Sequence, residues 1–153
     1  MTVKVDKKNL DRRFQELIKN INNTTALRQL GFFTIETIRK RTRGEGKGVA
    51  RPGGNRQTLK PVSLEWAERR KKLTRHPQAA SGRKSNLTFR GTMLDSLAIR
   101  RASRGSLIIG FKNRKESDKA EGNEARGRPF MYLGSAEIKD AAKFIKENIL
   151  KGI

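Results

Sequence analysis

The apolar residues of this chain change period twice, and that bounds the fold more tightly than any single motif. Over residues 6–21, Leu10, Phe14, Leu17, Ile18 and Ile21 fall on one helical face. Asn22-Asn23 breaks that helix. Thr24 or Thr25 is placed to cap a second one, because a hydroxyl can accept an orphan backbone N–H. The second helix runs to about Thr42, with Leu27, Leu30, Phe33 or Thr34, Ile35 and Ile38 inward. Gly31 inside it costs about 1 kcal/mol relative to alanine. From 86 to 112 the spacing falls to two: residues 86–90, 96–103 and 106–112 read as strands. Residues 103–106 make a tight hairpin turn between the last two strands, and 91–95 one helical turn between the first two. Helical spacing returns at Ile138, Ala141, Ala142, Ile145 and Ile149. Ser135 is the expected N-cap, Glu137 lies in the first turn and Gly152 ends the helix. The fold class is therefore α+β: N-terminal helices, a small antiparallel β-sheet with a hairpin, and a C-terminal amphipathic helix packed on the sheet.

The intervals between these segments are polar. Residues 43–62 have no period and few apolar anchors, and read as a long basic Gly-rich loop or arm. Deleting 44–57 is accordingly expected to leave the subunit folded. Ser63 can cap a short helix to about Leu73, with Leu64, Trp66, Ala67 and Leu73 as its apolar positions. Residues 74–85 and 113–127 read as loops. Residues 128–133 read as a short strand or extended segment, with Pro129 at an edge or a strand start. Residues 1–153 are expected to form a single domain.

Charge narrows the partners. The formal net charge is +21. Residues 39–82 carry 13 basic and 3 acidic side chains, and 83–115 carry 9 and 1, whereas 116–153 balance at 7 and 7. A regional excess of this kind repels itself and favours a polyanionic neighbour. The bland reading is a basic protein kept soluble by its charge. There is no cysteine. Apolar runs such as Leu107-Ile108-Ile109 fall far short of the roughly 20 residues of a membrane span. The N-terminus lacks the apolar stretch of a secretory signal. The expected setting is the cytoplasm, at least until assembly.

The residues give little support to catalysis. The lone histidine, His76, sits beside Pro77 with no Asp, Glu or Cys cluster, and a zinc site needs about three or four such ligands. Glu65 and Glu68 read as surface groups paired with Arg69 and Lys72. Gly44-Glu45-Gly46-Lys47-Gly48 fails the phosphate-loop spacing and leaves a helix instead of opening one. A metal-dependent nuclease on Asp95 or Asp118 is motivated only by charge and a few acids. Non-enzymatic function, without cofactor or metal, is the expectation. Nucleic-acid binding is the candidate that physics favours, through phosphates and without base stacking, because most of the few aromatics fit the core or strands.

Several segments, in order, carry a resemblance. They are IRKRTRGEGKGV, LKPVSLEW, NLTFRGTMLDSLAIR, IIGF, KAEGNE and RGRPFMYLG, followed by the terminal amphipathic helix. Over residues 34–150 the series resembles the virion-morphogenesis or tail-completion proteins of tailed phages, which sit at the neck between head and tail. The matching residues are Leu87, Thr88, Gly91, Met93, Leu94 and Ser96, then Ala120, Glu121 and Gly122, then Arg128, Pro129 and Phe130. Asn123 departs from the pattern, where relatives often carry His. The resemblance implies a non-enzymatic virion protein, assembled in the host cytoplasm as a homo-oligomeric ring, sixfold or twelvefold. Its implied partners are other neck, adaptor and tail-tube proteins, and DNA passing nonspecifically through the ring; no membrane is involved. Residues 39–63 would be an arm reaching a neighbouring subunit, an adaptor or the DNA, with Arg39, Lys40, Arg41, Arg43, Lys47, Arg51, Arg56 and Lys60 as assembly or DNA-facing candidates. Arg128-Pro129-Phe130 is open to two readings, an inter-subunit contact or internal packing. The alternative to a neck protein is a nonspecific nucleic-acid-binding protein associated with ribosome or nucleoid.

Overall fold

The structure, a computed structural model, describes residues 3–4, 21 and 23–148. The expected helix over 6–21, apart from Ile21, lies outside the described residues, as do Ile149 and Gly152. The described chain is α+β. It contains β1 (Val3–Lys4), α1 (Thr24–Arg39) with a π-helical turn at Lys40–Gly44, β2 (Lys47–Val49), β3 (Arg56–Thr58) and α2 (Leu64–Lys71). These are followed by α3 (Thr92–Asp95), β4 (Leu97–Ser103), β5 (Ser106–Phe111), α4 (Arg114–Ala125) and α5 (Ser135–Asn148). The strands form an antiparallel sheet in the order β1-β5-β4 and a separate antiparallel hairpin, β2-β3.

The helix α1 starts one residue before the expected caps: Asn23 Oδ1 accepts the Thr25 N–H at 2.8 Å, and both threonines lie inside the first turn. Its buried face is Ala26, Leu27, Leu30, Gly31, Thr34, Ile35 and Ile38, and this face packs on β4 and β5. Gly31 is the contact point. A Cβ there would stand 2.6 Å from Ile99 Cδ1, so the glycine that weakens the helix lets the sheet approach it. Phe33 is half-buried and stacks on Phe144 of α5 at 4.8 Å, joining the two helices.

In the sheet, strict alternation along β4 would carry Arg101 to the core face with Leu97 and Ile99. The pairing instead slips between Ile99↔Ile109 and Arg101↔Ile108, leaving Arg100 as an extra residue. Ala102 then pairs with buried Leu107 and packs on the core, while Arg100 and Arg101 are both exposed. The bulge is the solution to two adjacent arginines in an otherwise apolar strand.

Four expectations change. Residues 86–90 are not a strand: Asn86 Oδ1 accepts the Thr88 N–H, Thr88 Oγ1 donates to the Asn86 carbonyl, and Leu87 takes a φ of 55°. Such local side-chain bonds compete with a ladder. Residues 113–127 are a helix, not a loop, capped by Asn113 Oδ1 on the Glu116 N–H at 3.0 Å. Residues 128–133 form no strand. In α2, Ser63 does cap and Ala67 is buried, but Leu64 is 65% exposed and Leu73 also reaches solvent. Among the described residues, no helix is long and apolar enough to cross a membrane.

Candidate functional site

The expected arm is folded onto the body. The β2–β3 hairpin pairs Lys47↔Thr58, Gly48↔Gln57 and Val49↔Arg56. Val49 and Leu59 are buried, and the tip is tied to the start of α5: Gly53 N–H donates to the Leu133 carbonyl at 2.9 Å, and Ser135 N–H to the Gly54 carbonyl at 3.2 Å. Two readings are corrected here. Residues 43–62 are not a free loop, and 44–57 do contain a buried apolar residue, Val49. The alternation signal failed because β3 is exposed along its whole length, so no apolar period exists to detect.

Five of the eight cationic candidates hold the fold or pair with acids. Arg41 is 1% exposed and cannot face a polyanion. Its Nη1 donates to Glu137 Oε2 at 2.6 Å and to the Tyr132 carbonyl at 3.0 Å, and its Nη2 donates to the Phe130 carbonyl. Glu137 is equally enclosed. Its Oε2 also accepts the Gly134 N–H at 2.8 Å, and its Oε1 faces Arg56 Nε at 3.1 Å. This carboxylate therefore caps α5 from its first turn and ties the terminal helix to α1 and the hairpin. The expected cap, Ser135, is already the first helical residue. Burial lowers the Arg41 pKa from its ordinary value, and the Glu137 charge opposes that shift.

Arg39 donates from Nε to the Leu94 carbonyl at 3.0 Å and from Nη2 to Asp95 and Leu97 carbonyls, holding the end of α3. Arg43 pairs with Asp95 Oδ1 at 2.6 Å. Lys47 and Arg56 lie against Glu45. Lys40, Arg51 and Lys60 remain exposed.

The motif residues are architectural. Gly91, at φ 79°, precedes α3; Met93 and Leu94 are buried, and Ser96 Oγ donates to the Met93 carbonyl at 2.8 Å. Thr88 and Ala120 are buried, while Gly122 lies in α4 and Glu121 is exposed there. Asn123 contacts Met93 Sδ at 3.8 Å, joining α4 to α3. Arg128 donates from Nε to the Lys60 carbonyl at 2.8 Å and from Nη2 to the Pro61 carbonyl at 2.9 Å. Phe130 is in the core near Phe111, at 6.4 Å between ring centroids. For this segment, internal packing is what the chain makes.

Residues 60–91 form a lobe around α2; the sequence indicated the helix but not the contacts that brace the chain around it. Trp66 and Phe89 make a T-shaped contact, 5.5 Å between ring centroids. Arg70 is buried and donates from Nη2 to the carbonyls of Gly82 and Lys84. Asn86 donates to the carbonyls of Arg43 and Gln78 and accepts from the N–H groups of Ala80 and Thr88. The stretch 74–85 is thus irregular but braced. Asn86→Ala is expected to lower the unfolding free energy by about 2 kcal/mol, because each lost bond to buried main chain is worth roughly 1 kcal/mol or less net. Urea denaturation measures it, and an unchanged midpoint would remove Asn86 as the brace.

The lobe carries nine Lys or Arg and two Glu. Among the described residues, Lys60, Arg69, Lys72, Arg75, Lys84 and Arg90 make no side-chain hydrogen bond or ion pair. His76 packs at Gly91, and its Nδ1 accepts the Gln78 N–H at 3.1 Å. Among the described residues, no group of three or more His, Asp or Glu is placed to hold a metal. Comparison with family models, curated proteins and solved structures finds no match to this chain.

Proposed function

We propose that this protein is a non-enzymatic structural component of a tailed-phage neck, a ring that completes the tail or joins it to the DNA-filled head. The observation that carries the reading is a division of labour between residues. The segments of the family-like series meet inside the subunit: Met93 with Asn123, and Arg128 with the chain after β3. Positive charge without acidic partners is left on the outside. That division suits a rigid subunit that lies beside nucleic acid and does no chemistry on it. Phe32, 62% exposed on α1 beside the Phe33–Phe144 stack, supplies apolar surface that a neighbouring subunit would cover. Heterologous contacts of this kind generate rings when the rotation closes.

Electron microscopy of lysates from a phage lacking this reading frame tests the proposal. Filled heads and separate tails, with no joined particles, are the expected result. Tails of normal length would assign joining, and tails of irregular length would assign termination. Normal infectious particles would sink the neck reading. A nonspecific nucleic-acid-binding factor is the second reading, favoured by the cations of the 60–91 lobe.

A further inference from the structure

The cations best placed to meet a polyanion are not those of the hairpin. Four separate stretches of chain, at 60–62, the end of α2, 82–84 and 127–128, are bonded to one another around the lobe. Val62 N–H donates to the Arg83 carbonyl at 2.9 Å, and Arg83 Nε donates back to the Val62 carbonyl at 3.1 Å. Arg70 binds the carbonyls of Gly82 and Lys84, which sets the end of α2 beside residues 82–84. Arg128 holds the Lys60 and Pro61 carbonyls, and the Lys60 Cδ lies near Gly127. Lys60, Arg69, Lys72, Arg75, Arg83 and Lys84 are thereby carried, exposed, on a frame fixed by main-chain bonds.

We propose that these six side chains form a docking surface for the phosphate backbone of double-stranded DNA. The chemistry is specific to a backbone contact. Arg70 and Arg128, the two arginines that brace the frame, bind carbonyl oxygens and not carboxylates, so they add positive potential instead of cancelling it. Each has its pKa lowered, first by burial and then by a neighbouring arginine, Arg75 and Arg126 respectively, as expected where like charges crowd. Trp66 and Phe89 are half-buried and pack on one another instead of standing free as stacking platforms, which favours a duplex over a single strand. The choice of DNA over duplex RNA rests on the neck reading; the surface itself does not.

The test is binding of the purified full-length chain to a short DNA duplex by fluorescence anisotropy, across a salt series. Six phosphate contacts predict a slope of log K against log salt of about −5. Replacing Lys60, Arg69, Lys72 and Lys84 together by glutamine is expected to bring the slope to about −2 and to weaken binding at least about a hundredfold near 0.1 M salt. These four side chains are exposed, so the thermal unfolding midpoint should be unchanged, which separates lost charge from lost fold. The control variant, Lys40→Gln with Arg51→Gln, should bind within about twofold of the wild type, because those cations lie off the frame. A wild type that does not bind, a quadruple variant that binds equally well, or a preference for single strands would each overturn the surface, whereas a preference for duplex RNA would overturn the choice of DNA and leave the surface standing. Normal particles from the deletion phage would overturn the neck reading instead, so the two failures are distinguishable.

Discussion

Glu137→Ala is expected to lower the unfolding free energy by about 3–5 kcal/mol, the loss typical of removing one partner from a buried ion pair. The substitution leaves the Arg41 guanidinium enclosed without its carboxylate, and leaves the Gly134 N–H without an acceptor at the start of α5. Arg56 contributes less, because it is partly exposed and its pairing is screened by water. Urea denaturation of the single variants and of the double variant Arg41→Met with Glu137→Met measures the coupling. The double variant should lose less than either single one, because no buried charge is then stranded. Loss below about 1 kcal/mol for Glu137→Ala would show that the pair does not hold the helices together.

Gly48→Ala is the second large effect. A Cβ at that position would lie 1.9 Å from the Pro129 carbonyl oxygen and 2.8 Å from a Leu59 methyl. The first of these is main chain, so either β2 or the 128–130 segment must move. Overpacking of this sort costs about 3 kcal/mol, the upper end of its usual range. Deleting 44–57 should be worse and should prevent folding, since it removes buried Val49 together with the Gly53 and Gly54 bonds that hold the start of α5. Thermal and urea unfolding of Gly48→Ala check the first. A folded, cooperatively melting deletion protein would show that the hairpin is an appendage after all.

Both predictions concern features that a one-dimensional pattern renders only in part. The apolar faces of α1 and α5 and the β4–β5 hairpin were legible, because each rests on a period that local geometry imposes. Arg41 was in phase with Leu27, Leu30, Thr34 and Ile38, and Glu137 with Ala141 and Ile145. Continuing those stripes through the charged residues would have placed both inside, but nothing local says that the two would meet. The helix α4 was missed because a single buried alanine, Ala120, is its only core apolar contact; the Asn113…Glu116 spacing of a capped start was the available signal. The β2–β3 hairpin had no signal at all, since its burial depends on the 128–135 segment arriving over it.

By itself, the sequence determined the fold class, the helical and strand faces, and the regional concentration of positive charge. Those follow from backbone periodicity and from composition, which are properties of neighbours in the chain. Only the tertiary structure decided which cations are internal and which face outward. Arg39, Arg41, Arg43 and Arg128 were drawn to carboxylates and free carbonyls that lie far away in sequence, and Lys60, Arg69, Lys72 and Lys84 were left to solvent. The physical reason is that a guanidinium can be enclosed only where several acceptors converge on it, and convergence is a property of the assembled chain.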